Sequence, residues 1–169
     1  METRIEKDSM GELHVPKDAI YGPQTQRAVN NFPISGKKMP ESFIRALLIA
    51  KSAAAQANAE LGLIEPAMAD AISSVSQDLL TDNKMMDHFP VDVFQTGSGT
   101  SSNMNANEVL AKLASAKLGA DVNPNDHINY GQSSNDIIPS TIHISASLEI
   151  KDKLLPALQY LLSAIKAKA

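Results

Sequence analysis

The chain has 169 residues, 15 Lys and Arg against 19 Asp and Glu, 43% hydrophobic but only 4% aromatic residues, and no cysteine or tryptophan. That length suits one domain, or a domain and part of a second, and a net charge near −4 with scattered basic residues leaves no footprint for a nucleic acid partner. The lack of cysteine excludes a disulfide framework, a thiolate nucleophile and a sulfur-ligated metal, and is compatible with a reducing compartment.

Met1 to Met10 carry charges with no apolar run behind them, and no stretch approaches the roughly 18 apolar residues of a membrane helix, so neither signal peptide nor membrane partner is expected and the location read is cytoplasmic. The apolar fraction is Ala, Leu, Ile and Met, which favours an all-α fold. Met10 to Pro23 reads as turns and short extended pieces lying over helices. From Pro40 to Leu61 the stripe Phe43, Leu47, Ala50, Ala54, Ala57 and Leu61 predicts a helix, with Pro40 in its first turn and Gly62 as its C-terminal cap. A second runs from Pro66 to about Leu80 on Ala67, Ala71, Val75 and Leu79. Phe89 to Gln95 is short and extended.

After a polar run through Asn107, Val109, Leu110, Leu113 and Ala114 mark a third helix, closed by Lys117 and Gly119. Gly119 to Asn135 has loop chemistry throughout. Beyond it Ile137, Ile144, Leu148, Leu155, Leu158, Leu162 and Ile165 form a heptad-like stripe. Pro139 suits its first turn, and Pro156 falls inside the pattern and should kink it. The boundary expected is a helical domain over 1–132 and the first helix of a bundle over 133–169. A stripe with nothing to cover it implies self-association or a longer chain.

Two polar runs carry the chemistry. Gln95 to Asn103 places Gly97 and Gly99 among Thr96, Ser98, Thr100, Ser101 and Ser102, just before a helix. Unpaired first-turn amides and hydroxyl donors attract anions there, and one cap needs only one hydroxyl. Gly131-Gln132-Ser133-Ser134-Asn135-Asp136 repeats the pattern, with Ser134 or Asn135 as an ordinary cap. Two such helix starts suggest a ligand with two anionic ends, a dicarboxylate. No phosphate loop exists, and His14, His88, His127 and His143 have no metal-ligand spacing, so no metal is expected. His143 reads as a packed helical residue, His127 as a solvated loop residue, and the methionines as core filler.

The runs Gly97 to Val109, Asn123 to Asn129 and Gln132 to Asp136, together with Tyr21 to Ala28 and Phe32 to Gly36, resemble class II fumarases of the fumarase/aspartase superfamily from Arg4 to about His143. The resemblance implies reversible hydration of fumarate to (S)-malate, a citric acid cycle step, without metal or organic cofactor, in a homotetramer whose active sites combine three subunits. It implies substrate contacts at Ser98, Gly99, Thr100, Ser133, Ser134 and Asn135, and a second dicarboxylate site at Asn123, Pro124, Asn125 and Asp126. Thr96-Gly97-Ser98-Gly99 and Ser133-Ser134 match the fumarase pattern rather than the Gly-Gly-Ala-Gly and Ser-Thr usual in aspartases.

Asn123 stands where fumarases commonly carry His, and Tyr130-Gly131 replaces a pair often Lys-Ser or Ala-Ser. The family's catalytic histidine and its mobile Gly-Ser-Ser loop have no counterpart before Ala169, so the catalytic base is unassigned and the polypeptide is expected to be inert alone. The rival readings are aspartase or another lyase of the superfamily, and, from a different class, a non-enzymatic helical association module that keeps these loops.

Overall fold

The computed structural model describes residues 2–8 and 10–169. Among them are six α-helices and one two-stranded sheet, which gives the expected helical class. The strands β1 (Thr3–Asp8) and β2 (Gly11–Pro16) pair antiparallel, with Thr3 opposite Pro16 and Asp8 opposite Gly11. β2 fits the extended pieces read over Met10 to Pro23, whereas β1 carries no apolar alternation that would announce it. Its inward positions are Arg4, Glu6 and Asp8, and hydrogen bonds hold it in place of apolar packing. The Arg4 guanidinium donates to the carbonyls of Pro16, Lys17, Ala19 and Tyr21 at 2.7–2.9 Å, and Asp8 accepts from Arg27 and Gln24.

Helix α1 (Pro23–Asn31) is followed by α2 (Glu41–Glu60) and α3 (Pro66–Thr81). In α2, Pro40 is the N-cap rather than a first-turn residue. Gly62 takes φ +71°, and the amides of Gly62 and Leu63 return to the carbonyls of Ala59 and Asn58, which ends the helix in a Schellman motif. The buried face of α2 is Phe43, Ile44, Ala46, Leu47, Leu48, Lys51 and Ala55, so the second half of the expected stripe is corrected. Ala54 is only half-buried, and Ala57 and Leu61 are exposed. With alanines filling that half, side-chain size does not say which face turns inward. In α3, Ala71, Val75 and Leu79 are buried as expected, joined by Ala69 and Ile72, while Ala67 faces solvent.

The third helix of the sequence reading, here α4 (Thr100–Leu118), begins nine residues before Val109 and absorbs the polar run expected to precede it. Ser101, Ser102, Asn103, Asn105, Asn107 and Glu108 are buried in it, at the centre of the packing between α1, α3 and α5. The serines and asparagines are weak helix formers, and tertiary partners override that preference: Asn105 Nδ2 donates to the His88 carbonyl. The stretch Gly119–Asn135 is not loop throughout. Asn123 caps a wide helical turn, Pro124–Ile128, by accepting from the amides of Asn125 and Asp126.

Helix α5 (Ser134–Glu149) packs on α2, burying Ile137, Ile138 and Thr141. Its N-cap is Ser133 rather than Ser134 or Asn135, and Pro139 therefore lies in the second turn. His143 is exposed, not packed. The wide turn Ile150–Leu154 joins α5 to α6 (Leu155–Lys168), and its backbone angles stay helical. Pro156 lacks the amide that would bond to Asp152, and its ring would crowd that carbonyl. A turn of longer pitch relieves both, so the helix is widened ahead of Pro156 and not broken. Every residue from Ile150 to Ala169 is exposed, including Leu155, Leu158, Leu162 and Ile165. No helix of the described residues is long and apolar enough to cross a membrane.

Candidate functional site

The two hydroxyl-rich runs meet. Ser98, just before α4, donates from Oγ to Oδ1 of Asn135 in the first turn of α5 at 2.6 Å. The close approach requires Gly99: it takes φ +81°, and a Cβ there would lie 3.0 Å from Cγ2 of Ile138. Ser98, Gly99 and Asn135 line one wall of a cleft of about 630 Å³, whose other walls are apolar residues of α2 and α5 such as Phe43, Ile138 and Ile142. Ser133 caps α5, its hydroxyl oxygen accepting from the Asn135 amide at 3.2 Å. Ser134 Oγ accepts from Nδ2 of the buried Asn103 at 3.3 Å. Thr100 points elsewhere: it lines a smaller cleft with Arg27 and Met104, on the α1 side of α4.

The backbone contributes less than the helix-start argument expected. At α4, the Thr100 amide bonds to the Thr96 carbonyl, the Ser102 amide to Oε1 of Gln95 at 2.7 Å, and the Asn103 amide to the Gly99 carbonyl. At α5, the amides of Asn135, Asp136 and Ile137 all return to Ser133. One first-turn amide remains at each helix, from Ser101 and from Ser134, so anion attraction rests chiefly on side chains. The geometry also changes the ligand picture. The two starts form one cluster within hydrogen-bond reach of each other, not two sites a diacid's length apart.

Hydrogen-bond direction decides what this cluster offers. Asn103 donates to Ser134 Oγ, so the Ser134 proton is free to point outward; Ser133 Oγ is used as an acceptor, and its proton is free as well. Asn135 accepts from Ser98 through Oδ1, which leaves its Nδ2 as a donor. Two hydroxyls and an amide thus face outward as donors, a set that matches a carboxylate. Among the described residues no carboxylate or imidazole hydrogen-bonds to the cluster, and no group of three or more His, Asp or Glu is placed to hold a metal.

Sequence reasoning missed Lys51. It is fully buried in α2, and its ammonium donates to Oδ1 of Asn129 at 2.9 Å and Oε1 of Gln132 at 2.8 Å, in the segment that leads into α5. Desolvation pushes its pKa down from the usual lysine range to about 7. The signal was present in the sequence: Lys51 falls four residues after Leu47 and four before Ala55, on the apolar face.

The residues Asn123 to Asp126 lie apart from this cluster. Asn123 Oδ1 takes the amides of Asn125 and Asp126, and the Asn123 amide donates to Nδ1 of His127 at 2.8 Å. His127 is therefore a structural acceptor that braces the turn. Asn123, Pro124 and Asn125 line a separate cleft with Glu6, Asp8 and Lys112.

Residues 11–169 match the lyase family. The chain is 66% identical over 168 residues to fumarate hydratase class II 2 of Pseudomonas aeruginosa, covering 99% of this chain and 36% of that protein. It is 55% identical over 166 residues to fumarate hydratase class II of Xylella fastidiosa, covering 98% of this chain and 35% of that protein. Among solved structures, class II fumarase from Schistosoma mansoni superposes with a TM-score of 0.94 at 38% identity, over 99% of this chain and 36% of that one. A fumarate lyase:delta crystallin from Brucella melitensis gives 0.90 at 41% identity, over 99% of this chain and 40% of that one. The chain thus spans a little over a third of the length of the proteins it resembles.

Proposed function

The chain belongs to the lyase family, and from that premise we propose that it supplies the carboxylate-holding part of a fumarate hydratase, which interconverts fumarate and (S)-malate in the citric acid cycle. The observation that carries this reading is the 2.6 Å contact between Ser98 and Asn135, which joins both polar helix starts in one cluster of outward-facing donors. The relatives named as fumarate hydratases, similar over nearly the whole chain, support the same reaction.

Taking a proton from the carbon beside a carboxylate moves negative charge onto that carboxylate's oxygens. Fixed donors from Ser133, Ser134 and Asn135, the last oriented by the Ser98 hydroxyl, stabilise the charge as it develops, and a low-dielectric apolar wall strengthens them. Thr100 and the residues Asn123, Pro124, Asn125 and Asp126 stay as proposed contacts, Thr100 from the α1 side and the other four as a second dicarboxylate site. The proton acceptor comes from outside the donor cluster. We place residues 133–169 as the start of a second helical unit, whose exposed α6 stripe is buried by copies of the chain in a homo-oligomer, a tetramer in the whole enzyme, in the cytoplasm. An apolar stripe of Leu155, Leu158, Leu162 and Ile165 along a fully exposed helix favours that assembly.

The test is a chimera in which this chain replaces the corresponding part of the Pseudomonas aeruginosa relative. The chimera hydrates fumarate, Ser134→Ala lowers kcat/KM by about a hundredfold, the scale of one lost oxyanion donor, and Ser98→Ala lowers it by releasing the Asn135 amide that it orients. Unchanged kinetics in both variants refute the assignment. Activity with ammonia instead of water would favour the aspartase reading.

A further inference from the structure

We propose that Lys51 is a positioning residue for the carboxylate cluster: from inside the core its ammonium orients the amides of Asn129 and Gln132, and through Asn129 and Asn103 it sets the direction in which the Ser134 hydroxyl donates. The proposal rests on the reading of that cluster as a carboxylate site.

An ammonium can only donate, so each acceptor it engages is fixed in orientation. Asn129 Oδ1 accepts from Lys51 Nζ at 2.9 Å and from Asn103 Nδ2 at 3.1 Å, which turns the Asn129 amide nitrogen toward the Gln132 carbonyl, where it donates at 3.0 Å. Gln132 Oε1 accepts from Lys51 at 2.8 Å, and its Nε2 donates to the Ile128 carbonyl at 2.9 Å. With Asn129 held as an acceptor, Asn103 presents Nδ2 on that side, and the same nitrogen reaches Ser134 Oγ at 3.3 Å. Ser134 is left to donate outward. Had Asn129 flipped, it would face Asn103 with a donor, and Asn103 would turn its oxygen inward and take the Ser134 proton.

A buried cation with only neutral partners is costly to keep. Lys51 makes no ion pair among the described residues, and both groups that its ammonium engages are uncharged. The side chains set against its ammonium from the loop are the neutral amides Asn129 and Gln132, with Asn103 of α4 behind Asn129. Desolvation is the sole cause of its lowered pKa, with no charge on α3, α4 or α5 contributing. Asn103 Oδ1 is buried with no partner, the cost of pointing its nitrogen toward Asn129 and Ser134.

The test uses the 169-residue chain, ¹⁵N-labelled, as wild type, Lys51→Met and Asn129→Ala, with succinate as the probe. In Lys51→Met, amide exchange of Asp136 and Ile137 rises at least tenfold while that of Ile72 and Val75 in α3 stays within twofold, and the succinate Kd read from the Ser98, Ser134 and Asn135 amides rises at least tenfold. Asn129→Ala has the same signature, and adding it to Lys51→Met brings no further loss, because both break one relay. Equal loss of protection in α3 and at the start of α5 would mean general destabilisation and overturns the proposal, as does unchanged exchange and affinity. If Lys51→Met does not fold, the exchange pattern of Asn129→Ala decides by the same criteria. A wild-type chain that does not bind succinate counts against the carboxylate reading, and the exchange comparison still decides the role of Lys51.

Discussion

Replacing Glu108 by alanine should unfasten α1 and the hairpin packed on it. The Glu108 carboxylate, 7% exposed in the middle of α4, accepts from the Gly22 amide at 2.9 Å, the Gln24 amide at 2.8 Å, the Thr25 amide at 3.0 Å and the Thr25 hydroxyl at 2.6 Å. It is a capping group for α1 supplied from more than eighty residues away, and it places a negative charge at the positive end of that helix. Gly22 has no side chain to cap with. The variant leaves the buried donors of Gly22 and Thr25 unpaired at about 1–3 kcal/mol each. The lost helix-charge interaction adds about 0.5–1 kcal/mol. A total of about 2.5–7 kcal/mol stands against a typical domain stability of about 5–15 kcal/mol.

For a chain of this size each kcal/mol moves Tm by about 2–4 °C, so a fall of about 5–28 °C is expected. Thermal melts followed by circular dichroism measure it, with urea titration as a check. Glu108→Gln should cost less, since its carbonyl oxygen can take the place of Oε2 and keep the Gly22 and Thr25 donors, while its N–H₂ group meets only the Gln24 amide. The opposing effect is the desolvation of a buried carboxylate. If Glu108→Ala melts within 3 °C of wild type or above it, desolvation outweighs the four hydrogen bonds and the reasoning fails.

Gly22→Ala should act on the same joint: a Cβ there would lie 2.9 Å from Oε1 of Glu108, so it costs about 1–3 kcal/mol in urea titration and adds little once Glu108 is alanine. Gly99→Ala meets both a φ of +81° and Ile138, costing about 1–2 kcal/mol for the backbone alone, and should weaken succinate binding by prising Ser98 from Asn135, as a calorimetric titration would show. Asp92 is held down at about 2 by hydrogen bonds, first from the Phe94 amide and then from Ser35 and Gly36, against the opposing effect of burial. Its folded-state value is depressed, so its contribution is complete above the unfolded value near 3.8 and is lost as pH falls from there through about 2. Urea midpoints taken between pH 4 and pH 2 should fall in wild type and fall less in Asp92→Asn.

Helix existence and class were legible because apolar spacing and stop signals are local. Pro66, Gly62 and Gly119 mark ends that depend only on nearby backbone, and they stand where expected. The face of α2 was legible only in its first half, where Phe43 and Leu47 differ in size from their neighbours; the alanine-rich second half gives no contrast. The position of α4 was misread by nine residues because a run of Ser and Asn is locally loop-like. Its helicity is imposed by partners at His88, Asn129 and α1, all distant in sequence. The hairpin escaped notice for the same reason: Arg4 and Asp8 hold it through carbonyls and an arginine that no periodicity predicts.

By itself the sequence determined a helical lyase-family chain with two hydroxyl-rich runs, since motif identity and turn chemistry are written residue by residue. The tertiary structure decided that those runs form a single cluster, that most of their backbone donors are consumed within the helix starts, that Thr100 faces another cleft, and that a buried lysine stands behind Ser134. The first and the last of these depend on which side chain donates and which accepts across gaps of 37 and 78 residues. Hydrogen-bond direction is a property of paired groups, and a linear order of residues does not contain the pairing.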